Sequence, residues 1–332
     1  MSNLNYKKKR KNQSYTRLII IIAVIIATLL LAVKFVQSFN SNKKTSKNDT
    51  KVETDVSKNG ENDKTKADES SNSQDSEAVD EKSKEEPQID PTSQKPGTSH
   101  NYEAEAWAYS CKDVNNWILN PSTYTGTDKL VFLTFDDGPS SSLTPIVLDT
   151  LKNYGVHGTF FIVGRSADQD YAKPLLEREM KEGHAVGLHS YTHEYSNLYP
   201  NRVGSVENVL AEIDQNMKAI RKSLGEDFKT TIFRYPGGHM SWKGLTPVDE
   251  ALAQQNIYNI DWNVLTGDAE AKGSRRDLQG ALDNIKEDMA MYGGSPKVVV
   301  VLMHDIKQKS VDALPQIIEY YSSLGYKFGI LS

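Results

Sequence analysis

Five short stretches of this chain carry side chains that could perform hydrolysis together. They are Thr134-Phe135-Asp136-Asp137-Gly138-Pro139, His189-Ser190-Tyr191-Thr192-His193, Arg234-Tyr235-Pro236-Gly237-Gly238, and then Asp268 and His304. His189 and His193 stand four apart. On a helical turn both imidazoles would face one side, as in other i, i+4 metal pairs. One carboxylate added to them makes a two-His, one-acid set with a position left open for water. A divalent cation there would acidify that water and polarise a carbonyl. Asp136 and Asp137 cannot easily share a role, because like charges repel; one can bind metal while the other takes a proton. Arg234 offers a bidentate partner that keeps an aspartate ionised and oriented. The unperturbed pKa of a histidine lies near neutrality, which suits His304 to protonation of a leaving amine.

Each stretch alone has a plainer reading. Asp-Asp-Gly-Pro is commonly a turn after a strand. A single His-x-x-x-His is a weak metal motif, an arginine before Tyr-Pro is commonly structural, and Trp262 reads first as a core residue. Their occurrence together, in order, each after a separate apolar run, is what argues for one site.

Those runs are the elements that must position the site. Strands are expected at 130–135, 158–163, 185–188, 231–233, 258–262, 297–302 and 326–330. Between them lie helical patterns. Val206, Val209, Leu210, Ile213, Met217 and Ile220 step by three and four, as do Val311, Leu314, Ile317, Ile318 and Tyr321. Strands alternating with helices imply a parallel α/β sheet, and seven such units can close into a barrel. In such a barrel, reactive groups gather where strands end and loops begin.

The chain of 332 residues is not uniform. Residues 1–17 form a basic tail with Lys7, Lys8, Lys9, Arg10, Lys11 and Arg17. The apolar run 18–36 follows, close to the roughly 20 residues a membrane-spanning helix needs. Lys34 inside it can snorkel to the headgroups. The cationic cluster predicts a cytoplasmic N-terminus and everything after the span outside. A cleaved signal peptide is the alternative, but no small-x-small site follows the run. Residues 37–101 are rich in Lys, Glu, Asp, Ser, Asn and Thr, which predicts a disordered tether. Residues 102–332 are the expected folded domain. A net charge of -5 argues against nucleic-acid binding, and the single Cys111 excludes a disulfide framework or a Cys-rich zinc site.

The motif order resembles the polysaccharide deacetylase family, the NodB-homology domain of carbohydrate esterase family 4, over residues 129–331. The resemblance implies a distorted (β/α)7 barrel. It also implies Asp136 as general base, Asp137, His189 and His193 as metal ligands, Arg234 as the residue orienting the base, and His304 as catalytic acid. Leu302 would line the acetyl pocket, and Tyr235, Pro236 and Gly237 the substrate side, with the Gly237 backbone N–H offered to the oxyanion. Two departures stand out. Gly237 replaces a tyrosine of the third motif. In the fourth motif, Leu265 and Ala269 replace an aspartate and a tryptophan, which leaves Asp268 to orient His304; a shifted alignment would give that role to Asp261. The metal expected is zinc, with Co2+ or another first-row ion as a substitute. The implied substrate is N-acetylglucosamine in peptidoglycan. N-acetylmuramic acid, chitin-like or poly-N-acetylglucosamine oligomers, O-acetyl xylan and a non-catalytic wall-binding module are the alternatives. The catalytic domain is expected to be monomeric and to face the cell wall. His100, His157, His184 and Cys111 are expected to be structural or superficial, and His239 is a candidate for the groove rim.

Overall fold

The computed structural model describes residues 89–332. The expected anchor at 18–36, the basic tail and most of the expected tether lie outside them. Among the described residues no helix is long and apolar enough to cross a membrane. The folded domain begins earlier than expected from composition. Ser99, His100 and Asn101 are fully buried. Asn101 Nδ2 donates to Met180 O at 2.9 Å, and Gln94 bridges Asn101. The boundary placed at residue 102 therefore moves back, because these polar residues find partners on the domain rather than in water.

The described residues form one sheet of nine strands whose named ladders are all parallel. In chain order the strands are β1 (Ala108–Tyr109), β2 (Lys129–Asp136), β3 (Thr159–Ile162), β4 (Ala185–Leu188), β5 (Ile232–Phe233), β6 (Tyr258–Asn259), β7 (Val264–Leu265), β8 (Val298–His304) and β9 (Tyr326–Leu331). The seven expected strands are all present. The two-residue β1 and β7 were not foreseen, whereas the equally short β5 and β6 fall within the expected runs 231–233 and 258–262. Strands β2 to β8 run around a ring, with β7 joined to β8 and β8 to β2. Among the described residues no ladder joins β6 to β7, so the barrel is open there. It is further distorted at β2. Residues 129–132 pair with β9 while residues 134–136 pair with β3.

Alternation along the strands decides what enters the barrel. Leu130 and Phe132 of β2, with Val298 and Val300 of β8, belong to the interior cluster. Val131, Leu133, Phe135, Val299, Val301 and Met303 belong to the cluster under the helices. Both faces are therefore buried, which explains the unbroken apolar runs in the sequence. The same period of two carries Thr134 and Asp136 inward on β2, and Leu302 and His304 inward on β8. The ladder puts Asp136 level with His304, and Leu265 level with Leu302. On the other side Leu188 is level with Phe233, so the residues that follow them, His189 and Arg234, leave the sheet together.

Helices cover the outside. The long helix α1 (Val206–Leu224) buries Val209, Ile213 and Ile220, and its N-cap Ser205 accepts from the Asn208 N–H. Helix α2 (Gln308–Ser323) buries Val311, Leu314, Ile317, Ile318 and Tyr321. Both match the expected patterns. Cys111 packs on the interior cluster, where its thiol donates to Tyr258 O at 3.4 Å.

Candidate active site

The predicted site residues converge at the C-terminal ends of the strands, in a pocket of about 260 Å³. Asp136, Asp137, His189, His193 and His304 all line it, with Asp268, Gly237 and Leu302. Arg234 lies beneath. Its guanidinium is fully buried, with Nη1 donating to Asp136 Oδ1 at 2.8 Å and to Thr134 Oγ1 at 2.7 Å. Its Nε donates to Ile260 O at 3.0 Å, and Nη2 to Asp261 O at 3.3 Å. The plane also stacks over Phe161, 4.2 Å from the ring centroid. A buried guanidinium needs such pairing, and it fixes the position of the Asp136 carboxyl, which is almost wholly buried.

Asp137 turns out of the strand at φ 73, in the left-handed region. The turn swings its carboxylate toward the two histidines. His189 Nε2 lies 3.5 Å and His193 Nε2 3.3 Å from Asp137 Oδ1. His189 Nδ1 donates to Arg234 O at 2.8 Å, since a carbonyl can only accept, and this leaves Nε2 as the free lone pair. Burial lowers the His189 pKa against the raising effect of Asp136 and Asp137, which favours the neutral, ligating form. Asp137 Oδ1 is buried and has no hydrogen-bond partner among the described residues. An orphaned buried acceptor is expensive. One ligand atom from each of Asp137, His189 and His193 lies within 4.8 Å of the other two. Three donors of electron pairs facing one another around an unpaired oxygen fit a cation.

The two histidines do not meet by way of a helical turn. Ser190 has φ 62 and His193 φ 59, so the segment is an irregular loop. Its shape is held by Glu212 of α1, whose carboxylate accepts from Tyr191 N at 2.9 Å, Thr192 N at 2.7 Å and Thr192 Oγ1 at 2.8 Å. Glu212 was missed in the sequence. Its one signal is a carboxylate set between Val209 and Ile213 on the buried side of an amphipathic helix.

On the opposite wall, Asp268 Oδ1 pairs with His304 Nδ1 at 2.9 Å, and Oδ2 accepts from His304 N at 2.9 Å and from Ser310 Oγ at 2.6 Å. Asp261 instead accepts from the His239 N–H at 2.9 Å and makes no contact with His304, so the shifted alignment is excluded. Burial would lower the pKa of His304, but the hydrogen bond and charge of Asp268, aided by Asp136 and Asp137, push it up to about 9. His304 Nε2 faces the pocket, 3.9 Å from Asp137 Oδ2.

Two expectations are corrected. Tyr235 and Pro236 do not line the pocket. Tyr235 is fully buried, and its hydroxyl donates to Asp249 Oδ1 at 2.8 Å. The side chain after Arg234 points away from the inward face, as alternation demands. Pro236 is buried beneath Trp242, whose Nε1 donates to its carbonyl at 2.9 Å. His239 pairs with Asp249 at 2.8 Å and borders a separate groove. His100 and His184 are buried and His157 stacks on Trp107, so all three are structural. Tyr195, which the sequence reading passed over, enters the pocket wall beside Gly237. Burial, then the charges of Asp137 and Asp136, raise its pKa, so its phenol remains a donor.

With this geometry, the likeness to known proteins becomes specific. A family model described as polysaccharide deacetylase matches residues 123–251. Over 202 residues the chain is 34% identical to a peptidoglycan-N-acetylglucosamine deacetylase of Listeria monocytogenes, spanning 61% of this chain and 38% of that relative's length. Over 210 residues it is 33% identical to the peptidoglycan-N-acetylglucosamine deacetylase of Bacillus cereus, spanning 63% of this chain and 71% of the relative. The solved structure of a Streptococcus mutans CE4 esterase matches at 44% identity with a TM-score of 0.68, over 74% of this chain and 100% of that one. The chain belongs to the polysaccharide deacetylase family.

The Asp268–His304 bond can be read directly. In metal-free protein, the His304 ring resonances followed by NMR should titrate near pH 9. In Asp268→Asn the midpoint should fall by at least about one unit, because a carboxylate that favours the protonated ring has gone. An unchanged midpoint would mean that Asp268 does not set the charge of His304.

Proposed function

We propose that this protein hydrolyses the acetamide of N-acetylglucosamine residues in peptidoglycan and releases acetate. One observation carries the reading. A carboxylate fixed by a buried arginine, a two-His, one-Asp cluster and a histidine fixed by a second carboxylate face one pocket. The names of the bacterial relatives support the choice of polymer.

A zinc ion held by Asp137 Oδ1, His189 Nε2 and His193 Nε2 would supply a Lewis acid for the acetamide carbonyl; nitrogen and oxygen donors in a set of three suit that ion. The residues of the chain do the rest. Asp136, oriented by Arg234, takes a proton from the attacking water. The water oxygen bonds to the acyl carbon, and the carbonyl electron pair moves onto the acyl oxygen. The Gly237 backbone N–H lies in the wall where that charge develops. His304, kept protonated by Asp268, gives its proton to the nitrogen as the C–N bond breaks, so that the sugar amine and acetate leave. Leu302 and Leu265, level on adjacent strands, give the acyl methyl an apolar wall. Each acetyl lost leaves an amine that is cationic near neutral pH and shifts the charge of the wall.

The run at 18–36 is proposed to anchor the protein, with the catalytic domain on a tether outside the membrane. A flexible segment of roughly sixty residues spans some tens of ångströms on average, which suits a polymer close to the cell surface. Deletion of residues 1–36 should move the protein from the membrane fraction to the soluble one. Retention in the membrane fraction would contradict the anchor.

Asp136→Asn and His304→Ala should each reduce acetate release from purified peptidoglycan by about 10²–10⁴-fold, the usual worth of a general base or acid, with circular dichroism unchanged. Mass spectrometry of the digested muropeptides should show glucosamine only with the wild-type enzyme. Near wild-type release by either variant would overturn the assigned role.

A further inference from the structure

Tyr195 follows the second histidine and opens the short helix Tyr195–Leu198. Its ring is clamped on two sides, 5.4 Å from the His193 ring and 5.0 Å from the edge-on Trp242 ring. Trp242 is itself held, stacked on Tyr199 at 4.1 Å and bonded to Pro236 O at 2.9 Å. The phenol therefore has a fixed direction although its ring is partly open to solvent. That direction runs to the main chain at Gly237. A Cβ added there would lie 3.2 Å from Tyr195 Oη and 3.3 Å from Trp242, and Gly237 has φ +77. Glycine at this position lets the hydroxyl come up against the backbone, and both residues face the pocket that holds Asp136 and His304. Among the described residues, neither the Gly237 N–H nor Tyr195 Oη has an acceptor. Both residues thus present a donor at the wall of the site with no partner in the protein.

We propose that Tyr195 is a catalytic residue whose hydroxyl, beside the Gly237 N–H, donates a hydrogen bond to the acyl oxygen of the substrate. The assignment rests on the deacetylase reading above. As water adds to the acyl carbon, the π pair of the C=O bond settles on that oxygen. Donors aimed at it gain more in the transition state than in the bound substrate. The phenol keeps its proton throughout, so no bond to hydrogen is broken at Tyr195. Because most of the gain comes in the transition state, it falls mainly on kcat rather than on KM.

The test is steady-state acetate release from N-acetylglucosamine oligomers by the full-length protein and its Tyr195→Phe variant, with bound zinc measured in both. Phe keeps the ring against His193 and Trp242 and removes only the donor. The expected result is a kcat lower by about a hundredfold, the low end of the range for loss of one oxyanion donor, with KM within about twofold and zinc content unchanged. A kcat within about twofold of wild type, or a loss carried by KM alone, would overturn the role of Tyr195 and leave the deacetylase reading standing. A wild-type protein that releases no acetate would sink both.

Discussion

A single buried guanidinium ties the site together. Arg234 has no contact with water, so its charge must be met inside the protein. The barrel meets it from strands β2 and β3 and from the segment after β6. Asp136 and Thr134 come from β2, and the carbonyls of Ile260 and Asp261 lie just past β6. The faces of Phe161 and Trp262 complete the shell. Two consequences follow. The guanidinium gives the buried Asp136 side chain a fixed partner at 2.8 Å. The Arg234 main chain also accepts from His189 Nδ1, which fixes the tautomer that leaves Nε2 free. One residue thereby orients both the proposed base and one proposed ligand.

The barrel supplies the register that such an arrangement needs. Parallel ladders align strand ends, and alternation turns every second residue inward. Leu130, Phe132, Thr134 and Asp136 rise through the interior from apolar to polar, and Val298, Val300, Leu302 and His304 do the same beside them. Chemistry therefore sits on top of a hydrophobic stack that excludes water from below. Asp137 and His193 break the pattern deliberately. Both have positive φ, a strain L-residues adopt rarely, and both swing a side chain to the same point. Glu212 carries the cost of the second loop by satisfying three of its donors.

Much of this was legible in the sequence, for physical reasons. Buried parallel strands are apolar on both faces, so β2 and β8 stand out as unbroken runs, and the residues at their ends announce themselves by their charge. The helices 206–224 and 308–323 show because their stripes are long. What escaped is whatever lacks a period or a local motif. The loop 189–193 has the spacing of a helical turn, yet Glu212, some twenty residues on, gives its backbone a different set of partners. Tyr235 sits next to Arg234 in the chain but on the other face of the sheet. The burial of Ser99–Asn101 depends on partners at 180 and 230, which no local composition reveals.

The central claim is that Asp137, His189 and His193 hold one cation. It is tested most directly by titrating metal-free protein with zinc against a chelator of known affinity. One tight equivalent per chain is expected, weakened by at least about a hundredfold in Asp137→Asn, in His189→Ala and in His193→Ala alike, since loss of an outer-shell partner alone costs about 10- to 100-fold. Zinc affinity unchanged in any of the three variants, or no tight equivalent in the wild type, would contradict it.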